Sequence, residues 1–278
     1  MSIGTSLIVL FAAILHASWN ALLRGGDDRL WSMTIMCIAI ALACTVMVPL
    51  VPVPAVASWG CVALSASLHT GYNLFLVRTY RHGDLGQTYP IARGASPLLV
   101  SLGASIFARE LPDALNLIGV LLVSGGIIAL AFQGRTIGRQ TLLFALGTGC
   151  FIGAYSVTDG IGARLSGSSV GYTVWMCLLW GLLAPTTYVL LRDVRSLLRG
   201  RRETLVAASG GLASLLAYGI VIVAMTRGAM GPVSALRETS VVFAALIGRF
   251  FLREHLSGYR IMACLVVAVG AVLIGHAG

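Results

Sequence analysis

Two arginines set deep in apolar sequence are the groups with the most chemical consequence. Arg93 stands in YPIARGASPLLV, with Tyr89 four residues before it and Ser96 three after. That spacing puts all three on one helical face. Arg237 stands in GPVSALRETS, followed at once by Glu238, and Ser234 precedes Glu238 by one turn. A guanidinium keeps its charge and presents a planar fork of donors that suits carboxylate or phosphonate oxygens. A pair of them therefore predicts an anion-seeking site. A second reading is that Glu238 and Asp159 neutralise the two arginines inside the protein and merely lock helices together. The two are compatible, because a solute can compete with a resident carboxylate. Glu238 is the expected proton-coupling group and Asp159 the second candidate, although Asp159, near the end of its helix, also reads as an interfacial charge.

Two further sets point to the same cavity. His16, Trp19 and Asn20 recur at the spacing of His69, Tyr72 and Asn73, so each triplet shares one helix face. Tyr155 corresponds to Trp19 in a weaker match. Aromatic rings there would line the walls and amides would orient a polar solute. The bland alternative for each His is a hydrogen-bonded packing role. Trp31, Trp59, Trp175 and Trp180 read mainly as interfacial anchors. Pro90 and Pro97 interrupt the same segment as Arg93, which predicts a hinge or unwound stretch there.

The elements that must position these groups are apolar helices. The chain has 278 residues, 58% of them hydrophobic and only 10% charged, with a mean hydropathy of +0.91. That leaves too little polar surface to cover a water-soluble globule. At about 20 residues per span the sequence predicts ten helices, at about 4–23, 30–51, 56–78, 85–106, 115–132, 141–163, 170–191, 204–226, 231–250 and 258–276. The two halves, 1–137 and 138–278, repeat one another: Arg93 falls on Arg237, Phe107 on Phe251, Arg109 on Arg253, Glu110 on Glu254, Gly126 on Gly270, Tyr72 on Tyr218 and Arg81 on Arg227. Five spans per half place the second half upside down relative to the first. The expected fold is all-α and integral to a membrane, with two inverted five-helix repeats. At 1.5 Å per residue, Arg93 then lies about 12 Å and Arg237 about 9 Å into their helices from opposite sides, so both approach the middle of a core about 30 Å thick.

A net charge of +9 would raise nucleic acid as a partner in a soluble chain. Here the arginines sit in short loops, so they read as topology signals and no nucleic acid is expected. Loops 1–2, 3–4, 5–6, 7–8 and 9–10, with the adjoining helix ends, hold Arg24, Arg29, Arg78, Arg81, Arg135, Arg139, Arg192, Arg195, Arg199, Arg201, Arg202, Arg249, Arg253 and Arg260, against Arg109, Arg164 and Arg227 on the other side. That distribution places both termini outside the cell. Gly125 with Ala129, and Ala271 with Gly275, are read as faces packing helix 5 against helix 10 within a monomer, in preference to a homodimer seam. The partners are then a small-molecule substrate and membrane lipid. No cofactor or metal is expected: the six cysteines are scattered without close pairing. With no HExxH, no GxSxG and no paired intramembrane Asp at matched depth, the chain is not read as an enzyme.

The stretches PLLVSLGASIFARELPDALNLIGVLLVSGGIIAL, SVVFAALIGRFFLREHLSGYRIMACLVVAVGAVLIG and LHASWNALLRG resemble the drug/metabolite transporter superfamily, and within it the ten-helix EamA-like family. The resemblance implies a central cavity and export or exchange of small metabolites such as amino acids, in a bacterial-type inner membrane. It also implies cytoplasmic termini, opposite to the arginine count. A secondary transporter is the leading reading; a lipid flippase or multidrug exporter of the same fold, or an intramembrane lipid-modifying enzyme, are the alternatives.

Overall fold

The computed structural model describes residues 1–23, 28–82, 85–132, 137–251 and 257–276. Arg24, Arg135, Arg253 and Glu254 lie outside the described residues, as do the side chains of Trp19, Arg78, Arg81 and Phe251. Among the described residues the chain forms eleven α-helices: α1 Ile3–Leu23, α2 Arg29–Met47, α3 Trp59–His82, α4 Leu85–Phe107, α5 Ala114–Ala129, α6 Arg139–Leu165, α7 Ser169–Leu191, α8 Arg201–Arg227, α9 Met230–Glu238, α10 Ser240–Phe251 and α11 Gly258–His276. Eight continuous segments are long and apolar enough to cross a membrane, one of them made of α9 and α10 together. With α1 and α3 packed among them, the molecule is an all-α integral membrane protein.

Local chemistry sets several helix starts. Asp28, Asp113 and Ser168 each stand at an N-cap and accept a backbone N–H, from Trp31, Asn116 and Gly171 respectively, which satisfies donors the first turn leaves open. At the far end of α4, Arg109 adopts the left-handed region with φ 56. That conformation costs a non-glycine residue about 1–2 kcal/mol. It lets the Glu110 N–H close back on the Ala104 carbonyl at 3.1 Å and turns the Glu110 side chain toward α6.

The helices pair in a pattern that exchanging spans 1 with 6, 2 with 7, 3 with 8, 4 with 9 and 5 with 10 leaves unchanged. α1 packs on α8 and α3 on α6, which exchange with each other, while α2 packs on α7, α4 on α9 and α5 on α11. Close backbone approach between α5 and α11 runs through Gly119 and Gly270, where a Cβ on either would meet the other's carbonyl oxygen at 2.9 and 2.8 Å. The sequence expectation put this contact on Gly125 and Gly275. Both have open space within 4 Å of where a Cβ would sit, so the seam is rotated onto the Gly119–Gly126 face.

The expected unwound stretch around Pro90 and Pro97 is not present: α4 is helical through both. Pro97 cannot donate to the Arg93 carbonyl, but the Ser96 hydroxyl does so at 3.0 Å, replacing the missing bond. The break falls in the ninth span at Thr239, between α9 and α10. There the Thr239 N–H reaches back only three residues, to the Leu236 carbonyl at 3.2 Å, and its hydroxyl donates to the same oxygen at 2.7 Å. A side chain competing for the backbone in this way tightens and bends a helix.

Candidate functional site

Arg93 and Arg237 meet at one carboxylate. Arg93 Nη1 donates to both Glu238 oxygens, at 3.1 and 3.0 Å, and Arg237 donates to Oε1 through Nε at 3.1 Å and Nη2 at 2.8 Å. The Ser96 hydroxyl lies 3.5 Å from the same oxygen. Glu238 is fully buried and each arginine is about 5% exposed or less. α4 carries one guanidinium and α9 the other with the carboxylate, so the cluster ties the fourth span to the ninth. Arg93 Nη2 also meets His16 Nε2 on α1. A guanidinium only donates, so that ring nitrogen accepts and the His16 proton sits on Nδ1. Tyr89 places its ring 5.3 Å from Arg93 Cζ. Two guanidiniums share one carboxylate here, and the cluster keeps an excess of positive charge.

Asp159 does not join them, and it is not interfacial as the sequence allowed. It is fully buried, because α6 runs on to Leu165 and α7 and α8 close over it. The Tyr172 hydroxyl donates to Oδ1 at 2.9 Å, the Tyr218 hydroxyl to Oδ2, and His69 Nε2 lies 3.4 Å from Oδ2. The His69 ring stacks on Tyr155, with centroids 3.9 Å apart and planes 20° from parallel. Trp180 lies 4.8 Å away and Tyr218 5.3 Å away on its other sides. Tyr72 meets Tyr155 edge-on at 5.8 Å and lines the same cleft as Arg93, so an aromatic wall runs from the arginine cluster to Asp159.

The two matched triplets thus divide. His16 serves Arg93 and His69 serves Asp159. Asn73 donates weakly to Cys37 Sγ at 3.9 Å, while Asn20 turns back to its own helix, donating to the His16 carbonyl at 3.0 Å. Tyr172, Tyr218 and Trp180 were missed as site residues. Tyr218 had a signal in its alignment with Tyr72; the other two are aromatic residues among many in apolar spans. The sequence predicts an interfacial anchor at Trp180, yet it packs on His69 and its Nε1 has no hydrogen-bond partner among the described residues. The Oγ atoms of Ser156 and Ser234 and the Oδ1 of Asn73 are likewise buried and unpaired, and unpaired buried polar groups are uncommon.

Recesses of similar size lie toward both faces. A narrow cleft lined by Tyr72, Leu76, Thr88, Tyr89, Ala92, Arg93, Thr148 and Ile152 has room for about one water. It lies toward the face bearing loop 3–4. The opposite face is clamped. Arg164, at the end of α6, pairs with Glu110 and donates to the carbonyls of Met225 at 2.7 Å and Gly228 at 2.9 Å. Glu110 in turn accepts the Met230 N–H at 2.8 Å.

The bundle of apolar spans, with two buried arginines gathered on one carboxylate, is that of a multi-pass membrane protein. Residues 139–275 match the EamA-like transporter family, a domain of the drug/metabolite transporter superfamily. A protein whose solved structure is titled only as a crystal structure superposes with a TM-score of 0.78 at 20% identity, over 98% of this chain and 96% of its own. At that identity the likeness shows the shared fold. No curated protein sequence matches the chain.

Proposed function

We propose that the protein is a secondary transporter of a small anionic or zwitterionic metabolite, working by alternating access. The observation that carries this reading is the Arg93–Glu238–Arg237 cluster. Its excess positive charge is held away from water, where it is costly unless it serves a ligand, and its carboxylate is the group that an incoming anion replaces. The unpaired polar atoms of Ser156, Ser234, Asn73 and Trp180 supply further donors and acceptors for a polar solute. Residues 1–137 and 138–278 would rock against each other around the cluster. The arginine-rich face is taken as cytoplasmic, and with room for only about one water on either side of the cluster the conformation is read as occluded. Transport is favoured over lipid-modifying chemistry because the buried carboxylates are engaged by arginines and tyrosines, and the Ser96 hydroxyl beside Glu238 is committed to the Arg93 carbonyl.

The test is a thermal-shift screen of purified protein against amino acids, organic acids, phosphonates and lipophilic cations, since a ligand that binds only the folded form raises its melting temperature. An anion or zwitterion is expected to stabilise the wild type, and its effect is expected to disappear in Arg93→Gln and Arg237→Gln. Stabilisation by cations alone, or by the anion equally in both variants, would overturn the reading.

A further inference from the structure

The segment 192–203, which joins α7 to the first turn of α8, packs as a fixed surface. Trp31, Ile35, Tyr188 and Ala207 form a small core between α2, α7 and α8, and Leu197 packs into it. Trp31 Nε1 donates to the Leu197 carbonyl at 3.0 Å, and Tyr188 and Ser196 share a hydrogen bond of 2.8 Å. Asp28 receives Arg192 and, at 2.7 Å, Arg199, whose guanidinium also covers the Trp31 ring at 4.7 Å. Two of the segment's five arginines therefore hold it in place.

The other three are spent on nothing of the kind. Arg195, Arg201 and Arg202 are exposed and form no ion pair among the described residues. Their acidic neighbours are Asp193, whose carboxylate caps its own turn by accepting the Arg195 N–H at 2.8 Å, and Glu203. Beside them the loop exposes apolar side chains, Val194 at 55% and Leu198 at 84%, continuous with Leu190 and Leu191 at the end of α7. Water is a poor solvent for those four residues. Apolar side chains sunk into the acyl boundary, with arginines above them at phosphate level, is the arrangement of an interfacial anchor.

We propose that the 192–203 surface is a binding site for an anionic phospholipid headgroup, with Arg195, Arg201 and Arg202 holding the phosphate and Val194 and Leu198 seated against the acyl chains. The site serves more than membrane orientation: basic residues on the same face but off the patch, Arg139 and Arg260, take no part in it. The proposal is independent of what the central cavity carries.

The experiment is native mass spectrometry of the full-length protein titrated in detergent with phosphatidylglycerol and with phosphatidylcholine. The wild type is expected to retain phosphatidylglycerol at least tenfold more tightly. R195Q/R201Q/R202Q is expected to lose that preference, at roughly fivefold for each arginine removed, while R139Q/R260Q keeps it. All five positions lie at the loop face, and gel filtration of each variant verifies the fold. Equal phosphatidylglycerol retention by the triple variant and the wild type would overturn the proposal. So would an equal loss in R139Q/R260Q, which would mean a diffuse charge effect, or displacement of the lipid by an equal concentration of inorganic phosphate, which would mean a free-anion site.

Discussion

Glu238 holds the arginine cluster together from the middle, and its loss differs from the loss of either arginine. Arg93→Gln leaves the carboxylate with Arg237, whereas Glu238→Gln leaves two buried guanidiniums facing a neutral amide. Removing the shared partner of a buried ionic cluster costs about 3–5 kcal/mol. Glu238→Gln is therefore expected to lower the thermal unfolding midpoint well below that of Arg93→Gln, measured in detergent without ligand. Equal midpoints would mean that Glu238 is not the keystone of the cluster. The members of this cluster were legible in sequence because a charge inside an apolar run is conspicuous and costly. The partners of Asp159 were not: nothing distinguishes Tyr172 or Trp180 from any other aromatic residue in a span until α7 is seen to close over α6. The sequence paired Asp159 with an arginine by charge alone, while the fold meets it with hydroxyls and an imidazole.

Among the elements, helix existence was legible from apolar length, and helix continuity was not. Two prolines marked α4 as the weak segment, yet a neighbouring hydroxyl repairs it at Ser96. A threonine with no such reputation breaks the ninth span one residue after Glu238. The packing face of α5 was also misjudged, since glycine spacing says that two helices approach closely but not which glycines touch. The clip between α2 and the 192–203 loop can be tested by pH. Partial burial would raise the Asp28 carboxyl, but the Trp31 N–H and the Arg192 and Arg199 guanidiniums outweigh it and hold it below the usual range. The folded form thus binds the proton less tightly than the unfolded chain. The stabilisation is complete above the unfolded value of about 3.9 and is lost as pH falls through the lower folded value. Wild-type melting temperature is expected to fall along this acid limb, and Asp28→Asn is expected to start lower at neutral pH and fall less. Parallel curves would show that the clip adds nothing.

In the whole molecule the two faces are closed by different means. The arginine-rich face narrows to a cleft of about one water, and the opposite face is clamped where Arg164 joins the elbow after α4 to the start of α9. If the clamp is a gate, Arg164→Gln is expected to loosen that face. A cysteine placed at Ser101, which lines the small recess there with Glu110 and Gly231, should then react with a membrane-impermeant maleimide several times faster than in the Arg164 parent. An unchanged rate would make the clamp a static brace.

Glu238 has one more consequence on the proposed reading. A carrier whose binding cations stood bare between cycles would have to drag naked charge through a dry interior on its return stroke, and would be confined to swapping one solute for another. Here a side chain of the protein occupies the cargo's place whenever the cargo has left. The unloaded form can turn back without a passenger, and net flux down a gradient, in addition to exchange, is open to it.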